Sequence, residues 1–337
     1  MKLPQLKIGK HIAQVPIVQG GMGVKISEAP LAAAVANNGG IGLIAASGLS
    51  ADETVAEIRK ARALAPTGVI GVNIMFVATD FVEIVTKILK EKIDVIFTGA
   101  GFSRDIFKMA AGTDTAIVPI VSSARLAVLA KKFGAHAVCL EGKEAGGHLG
   151  TDRPMKSILP EIKQAIAEAT KPGEEEIPII AAGGVLHGSD IVEVMELGAS
   201  GVQLGSRFVL AEECTASYQY KMAYINAKPE DIVVTTSPVG LPGRAIKNKF
   251  IEQIEAKDTT IRPRRCTNCM KDCSHLYCIL DRLIWAHSGD VENGLLFAGE
   301  RTSEIKDILP VKTIIQNLIK EVAQIEPKES LLMPKLA

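Results

Sequence analysis

The chain has 337 residues, 47% of them apolar and 23% charged, and its 38 basic residues balance 38 acidic ones. Balanced charge excludes the strong positive field of a nucleic-acid-binding protein. The first residues lack the apolar core of a secretion signal, and no stretch approaches the roughly 18 uninterrupted apolar residues that a membrane span needs. We therefore expect a cytoplasmic protein without nucleic-acid or membrane partners.

Short apolar runs alternate with amphipathic segments along the chain. The repeat is about 20–27 residues long, which is the length of one strand–helix unit with short loops. The pattern predicts helices at 50–63, 124–133 and 188–197, and strands at 15–20, 41–47, 69–76, 94–99, 117–122, 137–142, 177–182 and 202–208.

Eight such units predict an α/β fold, a TIM (β/α)8 barrel in residues 1–210, with an open Rossmann-type sheet as the alternative. The interval 150–176 is longer than the others because an excursion, TDRPMKSILP at 151–160, precedes its helix, and this excursion is interpreted as a lid over the site. Residues 211–337 predict a mostly helical, cysteine-containing extension that packs on the barrel. It has helices at 211–227 and 311–325, and a loop that starts at 237 and runs into a helix ending at 254.

Small and polar residues stand where the predicted strands end, although apolar residues would serve packing equally well. In this fold the carboxyl ends of the strands build the active site. Convergent amides, hydroxyls and a carboxylate at one rim indicate a ring-shaped cofactor. The residues concerned are Gly20, Gly21, Met22, Asn73, Ser122, Glu141 and Gln203.

His148 follows the sixth predicted strand, directly after Gly146 and Gly147. Two glycines let the chain pass close to a flat ring, and an imidazole, with an unperturbed pKa of about 6.5, suits proton transfer near neutrality. We predict that His148 is the catalytic acid or base. The alternative is a hydrogen-bonded loop histidine without a catalytic role.

Two pairs of small residues, Gly183–Gly184 and Gly205–Ser206, fall at the ends of the last two predicted strands. Loops at these places in barrels often bind phosphate through bare backbone amides. The alternative is that they only form tight corners. Because Gly20, Gly21 and Gly23 lack the third glycine of a dinucleotide fingerprint, a mononucleotide such as FMN is favoured over NAD.

Four of the six cysteines, Cys266, Cys269, Cys273 and Cys278, have the spacing C-x2-C-x3-C-x4-C. Reduced thiols in one short loop can bind metal. One compact run favours a [4Fe-4S] cluster, zinc is the alternative, and a segment without metal remains open.

The motifs QGGMG, GVNIM, TGAG, EGKEAGGHLG, IIAAGGV and GVQLGSRF lie within residues 15–255. Together they resemble the nitronate monooxygenase (2-nitropropane dioxygenase) family of FMN-dependent barrels, and equally its sister group, the type II enoyl-acyl-carrier-protein reductases. The resemblance implies that Gly20, Gly21 and Met22 line the flavin ring. It implies that Asn73, Glu141 and Gln203 hold ring or ribityl atoms, and that Gly183, Gly184, Gly205 and Ser206 bind the phosphate.

By this resemblance the chain is an FMN-dependent oxidoreductase. His148 moves a proton at a carbon next to an activating group while electrons pass to the flavin, and the substrate is a small nitronate. An FMN-binding sensor without turnover is a further alternative. A homodimer is compatible with these features.

The segments QGGM, RAIKN at 244–248 and SPVGLPGRAI depart from the plain monooxygenase pattern. QGGM and RAIKN are similar to the enoyl-acyl-carrier-protein reductases. SPVGLPGRAI, followed by the clustered cysteines, is similar to flavin plus [4Fe-4S] enzymes that dehydrogenate and isomerise acyl-carrier-protein thioesters. The resemblance thus implies an acyl thioester of fatty-acid synthesis as the alternative substrate. In that case Arg262, Arg264, Arg265 and Lys271 would receive an acidic acyl carrier protein, unless these charges are only solvated surface.

Overall fold

Eight parallel strands close into a barrel in the computed structural model of the chain, which describes residues 2–325. The strands are β1 (Leu6–Ile8), β2 (His11–Ala13), β3 (Ile17–Gln19), β4 (Ile41–Ala45), β5 (Val69–Met75), β6 (Val95–Gly99), β7 (Ala116–Val121), β8 (Val138–Glu141), β9 (Gly147–His148), β10 (Ile179–Ala182), β11 (Gly201–Leu204), β12 (Ile232–Thr236) and β13 (Pro242–Ile246). The barrel itself consists of β3 to β8, β10 and β11.

The predicted TIM barrel is confirmed, and the open sheet is wrong. Strand β11 pairs with β3, with Val202 opposite Ile17, and this pairing closes the ring between the last and the first barrel strand. The eighth predicted strand is too long at its end, because the chain turns at Gly205 into a short helix.

Helices surround the barrel. They are α1 (Gly23–Ile26), α2 (Ala29–Asn37), α3 (Ala51–Leu64), α4 (Phe81–Lys90), α5 (Arg104–Ala110), α6 (Ala124–Phe133), α7 (Met155–Glu168), α8 (Gly188–Glu196), α9 (Ser206–Val209), α10 (Tyr218–Asn226), α11 (Lys249–Glu255), α12 (Ile279–Ser288) and α13 (Val311–Gln324). The local sequence sets their ends: Ser50 and Glu53 form a capping box at the start of α3, and Gly134 ends α6 with a φ of 99°.

The β1–β2 hairpin covers the amino-terminal end of the barrel. Leu6 and Ile8 join the same buried cluster as Val95 and Phe97 of β6, and both are at most 1% exposed. Nε2 of His11 in the hairpin lies 2.8 Å from the carbonyl oxygen of Asp114, just before β7. The cavity described below lies at the opposite end of the barrel.

The predicted loop from residue 237 is wrong in part, because it contains β13. Strands β12 and β13 form an antiparallel hairpin, and β13 also pairs with β9 through Gly243 opposite His148. The β-branched run Val233–Thr236 before the turn favours extended backbone. This hairpin joins the extension to the barrel.

Two further expectations change. The helix predicted at 211–227 begins only at Tyr218, where the Ser217 side chain accepts a hydrogen bond from the Tyr220 amide. The second half of the lid predicted at 151–160 is already helix, because α7 starts at Met155 and contains Pro160.

The boundary at residue 210 stays a prediction, since one buried apolar cluster contains residues from both sides of it. Residues 326–337 of the predicted extension lie outside the described residues. In the described part of the chain, the helices lack the length and apolar character that crossing a membrane requires.

Gly42 in β4 tests how closely the helices pack on the barrel. A Cβ there would lie 1.9 Å from the Ala32 carbonyl oxygen of α2, and backbone at that distance has to move. We expect Gly42→Ala to lower the free energy of unfolding by about 3 kcal/mol, the upper end of the usual overpacking effect. The measurement is chemical denaturation followed by circular dichroism.

The matched control is Gly173→Ala in an open loop, where φ is +83° and no atom lies within 4 Å of the added Cβ. Only backbone strain of about 1–2 kcal/mol applies there. Equal destabilisation by the two substitutions would contradict the close packing of α2 on β4.

Candidate active site

A cavity of about 1040 Å³ opens at the carboxyl end of the barrel strands. Every barrel strand contributes residues to its wall at or just after the strand's last residue. The structure brings together around it all of the predicted cofactor residues and the predicted acid or base: Gly20, Gly21, Met22, Asn73, Ser122, Glu141, Gly146, Gly147, His148, Gly183, Gly184, Gln203, Gly205 and Ser206. Their roles stay predictions.

Asn73 and Gln203 crowd against the glycines that follow β3. A Cβ on Gly21 would lie 2.2 Å from the Asn73 Cβ, and a Cβ on Gly20 would lie 3.3 Å from the Gln203 side chain. Asn73 Nδ2 donates to the Gly21 carbonyl oxygen at 3.3 Å. Gln203 Oε1 is buried and has no hydrogen-bond partner among the described residues. A ligand with a polar ring edge would satisfy that oxygen.

The loops after β10 and β11 leave backbone donors free. Gly183 and Gly184 have φ values of +99° and +72°, and within residues 2–325 neither amide donates to another backbone carbonyl, nor does that of Gly205. Ser206 Oγ accepts hydrogen bonds from the Gly299 amide and the Thr302 hydroxyl, each at 3.0 Å. Free amides and a fixed hydroxyl at one end of a cavity suit a phosphate group.

Arg301 supports the Gly183–Gly184 turn from the extension, which the sequence did not indicate. Its Nη1 donates to the Gly184 carbonyl oxygen at 2.7 Å and forms an ion pair with Asp190 at 2.8 Å. Glu304 holds the other side of the guanidinium at 2.7 Å. The stretch 297–302 that carries Phe297, Gly299 and Arg301 has no strand or helix periodicity, so no signal in the sequence marks it.

His148 is held on three sides. Its Nε2 lies 2.8 Å from Ser237 Oγ, its ring meets Phe297 edge-on with centroids 5.1 Å apart, and its backbone pairs with Gly243. Burial lowers the pKa of the imidazole from 6.5 to about 4. The ring is therefore neutral at neutral pH and able to accept a proton.

Glu141, the last residue of β8, is a further group in the cavity wall whose pKa is strongly shifted. Burial raises the pKa of its carboxyl group to about 7. The sequence placed the residue at the rim but carried no sign that this carboxyl would be half protonated near pH 7. Displaced pKa values at one site are typical of functional groups.

The cysteine segment forms part of the cavity wall through Cys269. It lies on the loop after β5: Thr79 N donates to the Cys269 carbonyl oxygen at 3.2 Å, and the Lys271 ammonium lies 4.5 Å from the centre of the Phe76 ring. Among residues 2–325, no three or more histidine, cysteine, aspartate or glutamate side chains are grouped so that they could hold a metal ion.

The metal site predicted from Cys266, Cys269, Cys273 and Cys278 is therefore not supported by this arrangement. The physical reason is that two of the thiols contact polar groups of His275 and do not meet at a common centre. Cys266 Sγ lies 3.5 Å from His275 Nε2, whereas Cys273 Sγ accepts from the His275 amide at 3.4 Å. All four remain free thiols.

Comparisons with known proteins agree with this geometry. A family model described as nitronate monooxygenase matches residues 5–84 and 71–321. A probable nitronate monooxygenase of Staphylococcus aureus is 28% identical over 348 residues, covering 93% of this chain and 95% of that protein. A "(3aS,4S,5R,7aS)-5-hydroxy-7a-methyl-1-oxo-octahydro-1H-indene-4-carboxyl-CoA dehydrogenase" of Mycobacterium tuberculosis is 31% identical over 72% of this chain, which spans 65% of that protein's length.

Solved structures show the same fold. FabK from Thermotoga maritima superposes with a TM-score of 0.80 at 30% identity, covering 92% of this chain and 93% of that one. A nitroalkane oxidase from Streptomyces ansochromogenes gives a TM-score of 0.75 at 24% identity, covering 92% and 96%. At that identity the second likeness supports the fold alone.

Gly21 offers a direct test of the ring site. We expect Gly21→Ala to weaken FMN binding at least tenfold, because the new methyl group displaces the Asn73 side chain from the cavity wall. The dissociation constant is measured by titrating the apoprotein with FMN and following the quenching of flavin fluorescence.

Gly99→Ala is the control, because Gly99 lines the same cavity and its Cβ would have ordinary contacts at 3.7 and 3.8 Å. If Gly21→Ala binds FMN as tightly as Gly99→Ala, the ring does not lie against Gly21.

Proposed function

The chain belongs to the nitronate monooxygenase family and is an FMN-dependent oxidoreductase; from this premise we propose that it oxidises small nitronates and the nitroalkanes that give rise to them. One observation carries the proposal: a half-buried, neutral imidazole faces the same cavity as a cradle of free glycine amides. The first group moves a proton and the second holds a phosphate-bearing cofactor.

The residues present fit FMN. Asn73 and the unpartnered Gln203 Oε1 would meet polar atoms of the ring, and the amides of Gly183, Gly184 and Gly205 would hold the phosphate with Ser206. When bound, FMN supplies the acceptor for the two electrons that leave the substrate. Arg301 keeps Gly184 in place and is itself neutralised by Asp190 and Glu304.

His148 supplies the proton transfer. The carbon next to a nitro group loses its proton to the imidazole, and the electron pair of the broken C–H bond stays on the substrate as the nitronate. Apolar and aromatic neighbours such as Phe297 keep water from the ring. The protein thus orients the substrate carbon and excludes solvent, whereas the redox chemistry belongs to the cofactor.

A second candidate is an acyl-thioester enzyme, and the size of the cavity favours it. A volume of about 1040 Å³ is at the upper end for small-molecule sites, which run from about 300 to 1,000 Å³. Part of the wall away from the glycine cradle is apolar, with Val24, Leu49, Leu280 and Leu283. The likeness to FabK and to the indene-carboxyl-CoA dehydrogenase of Mycobacterium tuberculosis supports this candidate.

The positive charge of the exposed stretch Arg262–Arg265 also supports the acyl-thioester candidate. Within the described chain, Arg262, Arg264 and Arg265 have no ion pair, and the stretch leads to Thr267 in the cavity wall. Such a surface would attract the acidic face of an acyl carrier protein. In this candidate, the acyl group of the carrier protein would enter the cavity past these arginines.

We also propose that the four clustered cysteines bind a [4Fe-4S] cluster, with zinc as the alternative. Support comes from their spacing and from two backbone N–H···S contacts, since the amides of Asn268 and His275 donate to Cys266 and Cys273 at 3.4 Å. Residues 266–278 would have to rearrange to bring all four thiolates to one centre. Binding would then stabilise a segment that has little apolar core.

Replacing His148 tests the main proposal. We expect His148→Ala to retain FMN and to slow flavin reduction by a neutral nitroalkane by about 10²–10⁴-fold, because the proton has no acceptor. Reduction by the pre-formed nitronate should change far less. The rates are measured by anaerobic stopped-flow absorbance. In the wild type the nitroalkane reaction should persist below pH 6 and fail only towards pH 4, because only the neutral imidazole accepts a proton.

Equal rates for His148→Ala and the wild type with both substrates would remove the imidazole from the mechanism. Flavin that responds to an acyl thioester and to neither nitro compound would favour the second candidate.

Iron analysis tests the cluster. We expect about four iron and four sulfide per chain after anaerobic purification, with broad absorbance near roughly 400 nm beneath the flavin bands. Cys269→Ser should lose this absorbance, whereas Cys214→Ser, at a buried thiol outside the segment, should keep it. One zinc without iron would support the alternative, and metal-free protein would contradict both.

A further inference from the structure

The turn after β10 contains two successive glycines in left-handed conformations. Gly183 and Gly184 have φ values of +99° and +72°. Because glycine is conformationally free, such a pair loses more entropy than other residues when one conformation is fixed. The amides of Gly183, Gly184 and Val185 donate to no other residue within 2–325, and all three residues line the cavity. A phosphate can bind several of these amides together only if the turn keeps one conformation.

Arg301 of the extension fixes the carbonyl group of this turn. Its Nη1 donates to the Gly184 oxygen at 2.7 Å. The C=O and N–H of a planar trans peptide point in opposite directions, so the N–H of Val185 points away from the guanidinium. One contact from the extension thus sets the direction of the last free amide in the turn.

Asp190 of α8 fixes the next part of the chain. Its Oδ2 accepts hydrogen bonds from the amides of Leu186 and His187, both at 2.9 Å, and lies 2.8 Å from Arg301 Nη1. Asp190 is only 8% exposed, so water does not readily replace these partners. One ion pair therefore holds the chain directly after the three free amides.

The positive charge of Arg301 is already compensated. Its Nε and Nη2 donate to the two carboxylate oxygens of Glu304, each at 2.7 Å, and Asp190 lies beside Nη1. Two carboxylates next to one guanidinium leave a net negative charge, which does not attract a phosphate. Because all three guanidinium nitrogens have partners, Arg301 contributes geometry to the phosphate site and not a free charge.

The same stretch of the extension also holds the second loop of the phosphate site. The Gly299 amide and the Thr302 hydroxyl both donate to Ser206 Oγ at 3.0 Å, and Thr302 is fully buried. Residues 299–302 therefore contact the loop after β10 and the loop after β11. Both loops take their positions from one segment outside the barrel.

We propose that Arg301 is a positioning residue that holds the loop after β10 in the conformation that binds phosphate, and so makes the protein select FMN over riboflavin. The inference rests on the proposed phosphate site at Gly183–Gly184 and Gly205–Ser206. Arg301 acts through the Gly184 carbonyl and Asp190, not through its charge. Riboflavin has the same ring and ribityl chain without the phosphate, so the ratio of the two dissociation constants isolates this effect.

Substitution of Arg301 tests the positioning role. The full-length apoprotein is titrated with FMN and with riboflavin, and the quenching of flavin fluorescence is followed. We expect Arg301→Lys and Arg301→Met to weaken FMN binding about tenfold, the effect of losing one hydrogen bond to a charged group, and riboflavin binding by less than about twofold. Lysine keeps the charge, but its single ammonium cannot reproduce the planar fork that holds Gly184, Asp190 and Glu304. A folding defect would weaken the binding of both flavins alike.

Asp190→Asn and Glu304→Gln separate geometry from charge, because the two explanations predict opposite signs. Each substitution removes a negative charge near the phosphate site, so a role through charge predicts tighter FMN binding. We expect FMN binding to weaken instead, by about threefold or more, because charge-assisted hydrogen bonds are roughly twice as strong as neutral ones. The loosened guanidinium then no longer holds the turn.

Glu321→Gln is the matched control for these two variants. The Glu321 carboxylate accepts from the Gly188 amide at 2.6 Å, at the start of the same helix α8, and forms no ion pair with Arg301 in the described chain. The substitution therefore removes a negative charge at this helix end and leaves the turn held. The ratio of the FMN and riboflavin dissociation constants should stay within about twofold of the wild type.

Failure of the proposed phosphate site and failure of this inference give different results. An added Cβ at Gly183 would lie 3.1 Å from the Ala145 amide nitrogen at a φ of +99°, so Gly183→Ala must distort the turn. If the wild type binds both flavins equally, or if Gly183→Ala keeps the preference for FMN, the phosphate site itself is wrong, and the inference fails with it.

The positioning role alone is wrong if Gly183→Ala loses the preference for FMN but Arg301→Lys keeps it. Tighter FMN binding by Asp190→Asn or Glu304→Gln also overturns it, because the effect would then follow charge. If Arg301→Lys does not fold, Glu304→Gln still decides by the sign of its effect, since that substitution lies on the exposed side of the guanidinium.

Discussion

The pairing of β9 with β13 is the constraint on which the site depends. It covers only two residues of the barrel loop, Gly147 and His148. Yet it fixes the imidazole to a hairpin of the extension, and the same hairpin delivers Ser237 to its Nε2. A barrel alone would leave His148 on a loop with two glycines, free to adopt many positions. The extension therefore completes the active site.

The other wall of the site depends on close approach rather than on hydrogen bonds. A Cβ on Gly146 would lie 2.6 Å from the Ala298 carbonyl carbon, and a Cβ on Gly21 would meet Asn73. Because glycine has no side chain, two chain segments can approach each other closely at each of these positions, and the cavity between them stays open. The extension again supplies one partner, since Ala298 belongs to the stretch that also carries Gly299 and Arg301.

The barrel and its rim could be predicted from the sequence because both rest on local patterns. Parallel strands buried on both faces appear as apolar runs, and the rim appears where small or polar residues end those runs. Ser237, Phe297 and Arg301 could not be found in this way, because each reaches the site from irregular segments or turns far along the chain. The pairing of the β12–β13 hairpin with the barrel loop could not be predicted for a related reason: its partner β9 is a strand of two residues that no periodicity reveals.

Two properties of the cavity favour different substrates, and one of them is the stronger argument. The volume and apolar wall would admit an acyl chain, but space alone does not determine a reaction. The depressed pKa of His148 makes the imidazole a weak base. Each unit by which the pKa of the imidazolium lies below that of the carbon acid adds about 1.4 kcal/mol to the free energy of proton transfer. The carbon beside a nitro group is far more acidic than the carbon beside a thioester carbonyl, so a weak base suits the nitroalkane. An acyl thioester would need a stronger base or further stabilisation of its enolate. Because a carbon proton must be removed whenever a neutral nitroalkane reacts, whereas spare volume can remain filled with water, the electrostatics of His148 outweigh the size of the cavity for that substrate.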